Sequence, residues 1–76
     1  MKDTLLYIIQ AIVDNPDAVS IDESDDNGFV TYTVHVDPSD MGKIIGKEGK
    51  VIRSIRNVMK IPAMKEHKKV QVNLAE

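Results

Sequence analysis

Seventy-six residues carry twelve acidic and ten basic side chains, two histidines and no cysteine, for a net charge of −2. That length sets the expectation of a single domain over residues 1–76, with a modest core and moderate stability, and the missing cysteine excludes disulfides and thiolate nucleophiles or ligands. No apolar run reaches membrane-spanning length and the first residues lack a signal peptide's basic flank and cleavage site, so the expectation is a soluble cytoplasmic protein without membrane insertion.

A helix comes first. Leu5, Leu6, Ile8, Ile9, Ile12 and Val13 recur at three- and four-residue spacing and make one apolar face. Asp3 or Thr4 is the expected cap at its start. Asn15-Pro16 is the expected end, because the residue before proline avoids helical backbone.

A hairpin follows. Asn27-Gly28 is a strong two-residue turn signal. With those residues in the loop, Asp26 faces Phe29, Ile21 opposes Val34, Val19 opposes Val36, and Glu23 opposes Tyr32. Ser20, Asp22 and Ser24 then meet His35, Thr33 and Thr31 on the other face. This register separates apolar from polar residues, as a half-buried antiparallel sheet requires.

Asp37-Pro38-Ser39-Asp40 opens a second helix, with Asp37 as N-cap, Pro38 at the first helical position and Asp40 as a first-turn negative charge. It is short and stops at Gly46. Gly42 lowers its stability and is expected to let another backbone come close. A third helix runs from about Lys50 to Lys60, with Val51, Ile52, Ile55, Val58 and Met59 as its apolar stripe. Arg53, Arg56 and Lys60 take another face. Pro62 is expected to end this helix near Met59 or Lys60, or to kink it. The last element is a strand, Val70, Val72 and Leu74 alternating with Gln71 and Asn73. The order α-β-β-α-α-β contains a crossover that sets the last strand parallel to the second, which becomes central.

Charge is distributed unevenly along this order. Residues 1–40 hold one lysine against nine acidic groups, while residues 41–76 hold nine basic groups against three acidic ones. Such polarity lets one basic face meet a polyanion while the remainder repels it. The alternative is an ordinary solvated surface.

The chemistry concentrates at Gly46-Lys47-Glu48-Gly49. Both glycines can take positive φ and admit a foreign backbone. The second opens a helix whose unpaired N–H groups attract anions. A bare glycine pair also occurs as a purely steric helix corner, so its surroundings decide. Lys43, Lys47 and Lys50 bracket the turn, and Arg53 and Arg56 follow at spacings that bring side chains to one face. They read either as phosphate contacts or as a solvated helix surface. Ile44, Ile45, Ile52 and Ile55 read either as core or as the floor of a groove.

Over essentially its whole length the chain resembles a type II KH domain, the arrangement common in bacteria. Asp40-x-Gly42-Lys43-Ile44-Ile45-Gly46-Lys47-x-Gly49-x-x-Ile52 carries that likeness. The size, the Asn15-Pro16-Asp17-Ala18-Val19 junction and the Lys68-Lys69-Val70 strand start are similar to the small stand-alone KhpA family. The resemblance implies an α+β type II KH fold, with three helices packed on one face of a three-stranded mixed sheet. It also implies a non-catalytic protein that binds single-stranded RNA and acts as an RNA chaperone. The implied partner is a Jag-type (KhpB) KH protein, with links to cell-envelope synthesis and cell-length control. The RNA contacts it points to are Lys43, Ile45, Gly46, Lys47, Glu48, Gly49, Lys50, Ile52 and Arg53. Two features depart from the pattern: Glu48 puts a carboxylate inside the turn, and Pro62 interrupts what is a longer third helix in many relatives.

Val58, Ile61 and Met64 lie around Pro62. They form either a surface for a homodimer or heterodimer or a part of the core folded under the sheet. A rival function is therefore a protein-interaction module docking through the apolar surface of helix three. Tyr7, Phe29 and Tyr32 offer no broad stacking platform. His35 and His67 lack ligand spacing, the acidic hairpin lacks calcium-loop order, and no arrangement suggests catalysis, a metal or a cofactor.

Overall fold

The computed structural model describes residues 1–75. Helix α1 spans Lys2–Ile12 and buries Leu5 and Ile9. It starts behind Met1 without a side-chain cap, so neither Asp3 nor Thr4 plays that role; Asp3 lies in the first turn, where its charge opposes the helix dipole's positive end. It also ends earlier than Asn15-Pro16 alone would require. Val13 is already extended, at φ −83° and ψ 158°. The cause is distant in sequence. The N–H groups of Asp14 and Asn15, which would continue the helix, donate to the Asp40 carboxylate at 3.1 and 3.0 Å. Pro16–Ala18 then forms a single 3₁₀ turn.

Strands β1 (Ser20–Asp26) and β2 (Phe29–His35) pair antiparallel in the expected register, from Ser20 opposite His35 to Asp26 opposite Phe29. Asn27 and Gly28 take φ of 53° and 88°, the positive values a tight hairpin of this twist demands. Asp25 accepts the Gly28 N–H at 3.0 Å and so braces the loop. Val19 and Val36 lie outside the paired strands.

Asp37 accepts the Ser39 N–H at 2.9 Å and caps a 3₁₀ turn, Pro38–Asp40, that runs into α2 (Met41–Ile45). A further 3₁₀ turn, Lys47–Gly49, leads to α3 (Lys50–Lys65). The third helix therefore does not stop before Pro62 but continues through it. Proline removes only the bond to the Val58 carbonyl, on the half-exposed side of the helix. The extra turn buries Ala63 to 2 % exposure. It closes with paired bonds, from the Lys68 N–H to the Ala63 carbonyl at 2.8 Å and from the His67 N–H to the Met64 carbonyl at 3.1 Å. His67 adopts φ 56° there, taking the left-handed position that glycine usually fills.

Strand β3 (Lys69–Leu74) lies parallel to β2, with Val70 opposite Val30 and Val72 opposite Tyr32. The sheet order is β1-β2-β3. Three helices cover one face and meet it through Leu5, Ile9, Ile44, Ile52, Ile55 and Met59 against Ile21, Val30, Tyr32, Val34 and Val72. This is the type II KH fold. Burial pushes the Tyr32 hydroxyl up to about 12, helped by the nearby Glu23 charge. No helix among the described residues is long and apolar enough to cross a membrane.

Candidate nucleic-acid interface

The two glycines of the turn are required for different reasons. Gly46 holds φ 74° and ψ 176°. A Cβ added there would lie 2.8 Å from the Val51 Cβ, so the α2–α3 corner closes only over a hydrogen atom. Gly49 also has φ 74°, yet a Cβ on it would meet nothing within 4 Å. Only its backbone handedness calls for glycine. Between them Glu48 is left-handed without being glycine, at φ 58° and ψ 25°. Gly49 caps α3 with no side-chain bond, and the Lys50 N–H donates to the Lys47 carbonyl within the turn, so the positive end of the helix dipole rather than a row of free donors faces the turn. Lys47 and Glu48 are exposed beside them. Gly42 does not admit a neighbouring backbone as expected: a Cβ on it would meet nothing within 4 Å.

From the turn a groove runs between α3 and β3. Arg53, Arg56, Asn57 and Lys60 form one wall, and Val70, Gln71 and Val72 the other, around a cavity of about 280 Å³. Because β3 is an edge strand, one row of its backbone groups has no sheet partner. The N–H groups of Lys69 and Ala75 are bonded to β2-side carbonyls, of Gly28 and Val34. The alternation of the ladder then leaves the backbone N–H and carbonyl groups of Val70, Val72 and Leu74 on the open edge, while the Val72 side chain stays in the core. Arg56 Nε donates to the Val72 carbonyl across it at 3.1 Å. Cations, an apolar floor and free backbone groups thus converge where a single strand with splayed bases would lie.

The expected site residues separate on inspection. Gly46, Lys47, Glu48 and Gly49 form the turn, and Arg53 lies in the groove beside Arg56. Ile45 is 39 % exposed and available to a ligand, whereas Ile52 is 7 % exposed and belongs to the core with Ile44 and Ile55. Lys50 faces the opposite flank, bordering an apolar groove between α1 and α3 with Ile8, Ile12, Val51 and Val58. The charge of Lys43 is committed elsewhere. Its ammonium pairs with Asp14 and lies 3.6 Å from Asp40. The hydrogen bond to Asp14 raises its pKa against the effect of burial.

Asp40 is the residue whose role the sequence did not show. Its side chain is 1 % exposed. Burial alone would raise its pKa, but the Asp14 and Asn15 N–H groups and the Lys43 charge outweigh it and hold the carboxyl below its usual value. It ties the end of α1 to the start of α2, and so fixes the helix that carries the turn. Its partners lie 25 and 26 positions away, beyond any local motif.

Val58, Ile61 and Met64 are 45 %, 58 % and 72 % exposed, so none of them is core. They adjoin at steps of three along α3 but face different hollows. Steps of three residues drift around a helix by about 60° each. Val58 lines the α1–α3 groove, Met64 lines a hollow beside β3, and Ile61 lies outside both.

The uneven charge of the sequence becomes spatial. Asp22, Glu23, Asp25 and Asp26 lie on β1, one edge of the sheet, and the basic groove lies along β3, the other. One pair crosses at the hairpin end, where Lys68 Nζ meets Asp25 at 2.9 Å. No group of three or more histidines and carboxylates among the described residues could hold a metal ion.

Comparison with known proteins matches residues 2–74 to the family model described as KhpA/KhpB, KH domain. The chain is similar to the RNA-binding protein KhpA of Caldanaerobacter subterraneus subsp. tengcongensis, 40 % identical over 74 residues, which are 97 % of this chain and 99 % of the relative. It is likewise similar to the RNA-binding protein KhpA of Chlamydia caviae, 41 % identical over 76 residues, covering 100 % and 97 % of the two chains. The RNA-binding protein KhpA of Halalkalibacterium halodurans is 36 % identical over 76 residues, the full length of both. No solved structure matches.

Proposed function

The chain belongs to the KhpA/KhpB KH-domain family, and from that membership we propose that it is a small, non-catalytic cytoplasmic protein that holds single-stranded RNA. The observation that carries this reading is the turn's position: the positive start of α3, without a side-chain cap, lies one helical turn before Arg53, the first residue of the cationic α3–β3 groove. The Gly46–Gly49 backbone and Lys47 hold a phosphate. Arg53 and Arg56 follow the strand, Ile45 offers an apolar contact, and the outward groups of β3 meet base edges. Lys50 adds charge from the far flank. Lys43 acts by fixing α2 rather than by touching RNA, and Ile52 acts from the core. Glu48 opposes the phosphate path.

The test replaces Lys47 and Glu48 together by aspartate. Both side chains are exposed, so the variant should keep the wild-type circular dichroism spectrum and lose binding to a labelled RNA oligonucleotide. Wild-type affinity should also fall steeply with salt. A folded double-aspartate chain that binds RNA normally would refute the assignment.

A second reading concerns assembly. One KH domain grips about four nucleotides, so a paired domain gains through effective concentration. The apolar α1–α3 groove and the exposed Val58 and Ile61 support pairing, either with a second copy or with a Jag/KhpB-type KH protein. In that setting the protein would act as an RNA chaperone tied to cell-envelope and cell-length control. Ile61→Asp should fold normally, since Ile61 is exposed, and should sediment as a monomer with weaker RNA binding. A wild-type monomer at high micromolar concentration would leave only the heteromeric form.

A further inference from the structure

The α3–β3 groove does not end at Lys60. Lys60 and Val70 are shared with a second hollow of about 370 Å³, floored by Phe29, Ala63 and Met64 and bordered by Lys69. Phe29 is 45 % exposed and stands opposite Lys69 in the β2–β3 register. Met64 is 72 % exposed. Lys68, also on the rim, is paired with Asp25. Lys60 and Lys69 have no carboxylate within ion-pair distance among the described residues.

We propose that this hollow is a subsite for one further base of the bound single strand, stacked on Phe29 and flanked by phosphates held at Lys60 and Lys69. The proposal rests on the RNA-holding reading and extends it. An aromatic face on an apolar floor, rimmed by unpaired ammonium groups, matches a nucleotide, which is itself a planar apolar ring beside an anion. Continuity with the groove points to the same strand rather than to a separate ligand. The position fits as well. The helix rises about 21 Å from Lys50 to Met64, while the groove residues Arg53 to Lys60 cover only about 11 Å of it. A strand gripped at the turn reaches the hollow with the nucleotides that follow the clamped four.

The experiment compares oligouridylates of four and eight nucleotides in anisotropy titrations with the full chain. The eight-mer should bind more tightly than the four-mer by more than the statistical gain in registers. Phe29→Leu keeps an apolar strand residue but removes the ring. It should weaken the eight-mer at least about fivefold, the low end for loss of one base–aromatic stack, and leave the four-mer unchanged. Met64→Gln, on an exposed helix position, should show the same selectivity in direction and serves if Phe29→Leu fails to fold. Lys60→Gln and Lys69→Gln should each lower the eight-mer salt slope by about 0.7. Equal effects on both lengths, or none, overturn the subsite while leaving the turn assignment standing. Binding of neither length by the wild-type chain refutes the RNA reading and the subsite with it. A change in sedimentation without a change in RNA affinity would assign the hollow to a second copy instead.

Discussion

At Gly46 and Gly49 the same residue type answers two different demands. Val51 packs against the space where a Gly46 side chain would stand, whereas Gly49 faces open space and is constrained by φ alone. Gly49→Ala should therefore cost only the left-handed penalty, about 1–2 kcal/mol. Gly46→Ala should cost that amount and more, because Val51 must also move. Urea unfolding of the two variants measures the difference, and equal midpoints would contradict the steric account. The pair was visible in the sequence, but not which glycine does which task, because the Val51 contact depends on the angle between two helices. Lys43 shows the same limit. It read as a phosphate contact or a solvated surface charge, and the sequence did not show that its ammonium pairs with Asp14, 29 positions earlier.

Among elements, the hairpin was legible in its register from Ser20–His35 to Asp26–Phe29, because Asn27-Gly28 fixes the loop and the alternation then fixes the pairs, though not where pairing stops, short of Val19 and Val36. The end of α3 was not. A proline at position 62 argues locally for a stop, and the tertiary burial of Ala63 together with the local double carbonyl closure around His67 overrules it. The proline is then a defect the helix tolerates. Pro62→Ala should restore the bond to the Val58 carbonyl and raise stability, by less than the roughly 3 kcal/mol that separates proline from alanine in a helix interior, since the site is in the last turn. A rise in the urea midpoint with an unchanged slope is the expected result. A fall would mean that the proline ring makes packing contacts worth more than the lost bond.

For the molecule as a whole, charge placement governs how stability responds to pH. Asp25 is held below its ordinary pKa by the hydrogen bond to Lys68 and by the Gly28 N–H. Asp40, despite its burial, is held low by the backbone it clamps. Both carboxyls bind protons less readily folded than unfolded. Their contribution is complete above the unfolded value of about 3.9 and disappears as pH falls through the lower folded values. Stability should hold down to about pH 4 and decline below it, and Asp40→Asn should flatten that decline. At the alkaline end Lys43, Lys68 and Tyr32 all have raised pKa values. Their contributions persist below about pH 10 and are lost as pH rises through the folded values, which for Tyr32 is about 12. Thermal melts from pH 2 to 12 check both limbs.

The open edge of β3 has a cost that the fold must manage. An unpaired row of N–H and carbonyl groups is a template for another strand of protein as much as for bases, and copies stacking edge on edge would grow into fibrils. In this molecule the edge is guarded by the groups that line the groove. Arg56 occupies the Val72 carbonyl, and Arg53 and Lys60 set like charges in the path of an incoming copy. The far edge, on β1, is protected by acidic residues in the same way. An empty groove therefore keeps the protein dispersed by the same cations that would fill it with a polyanion.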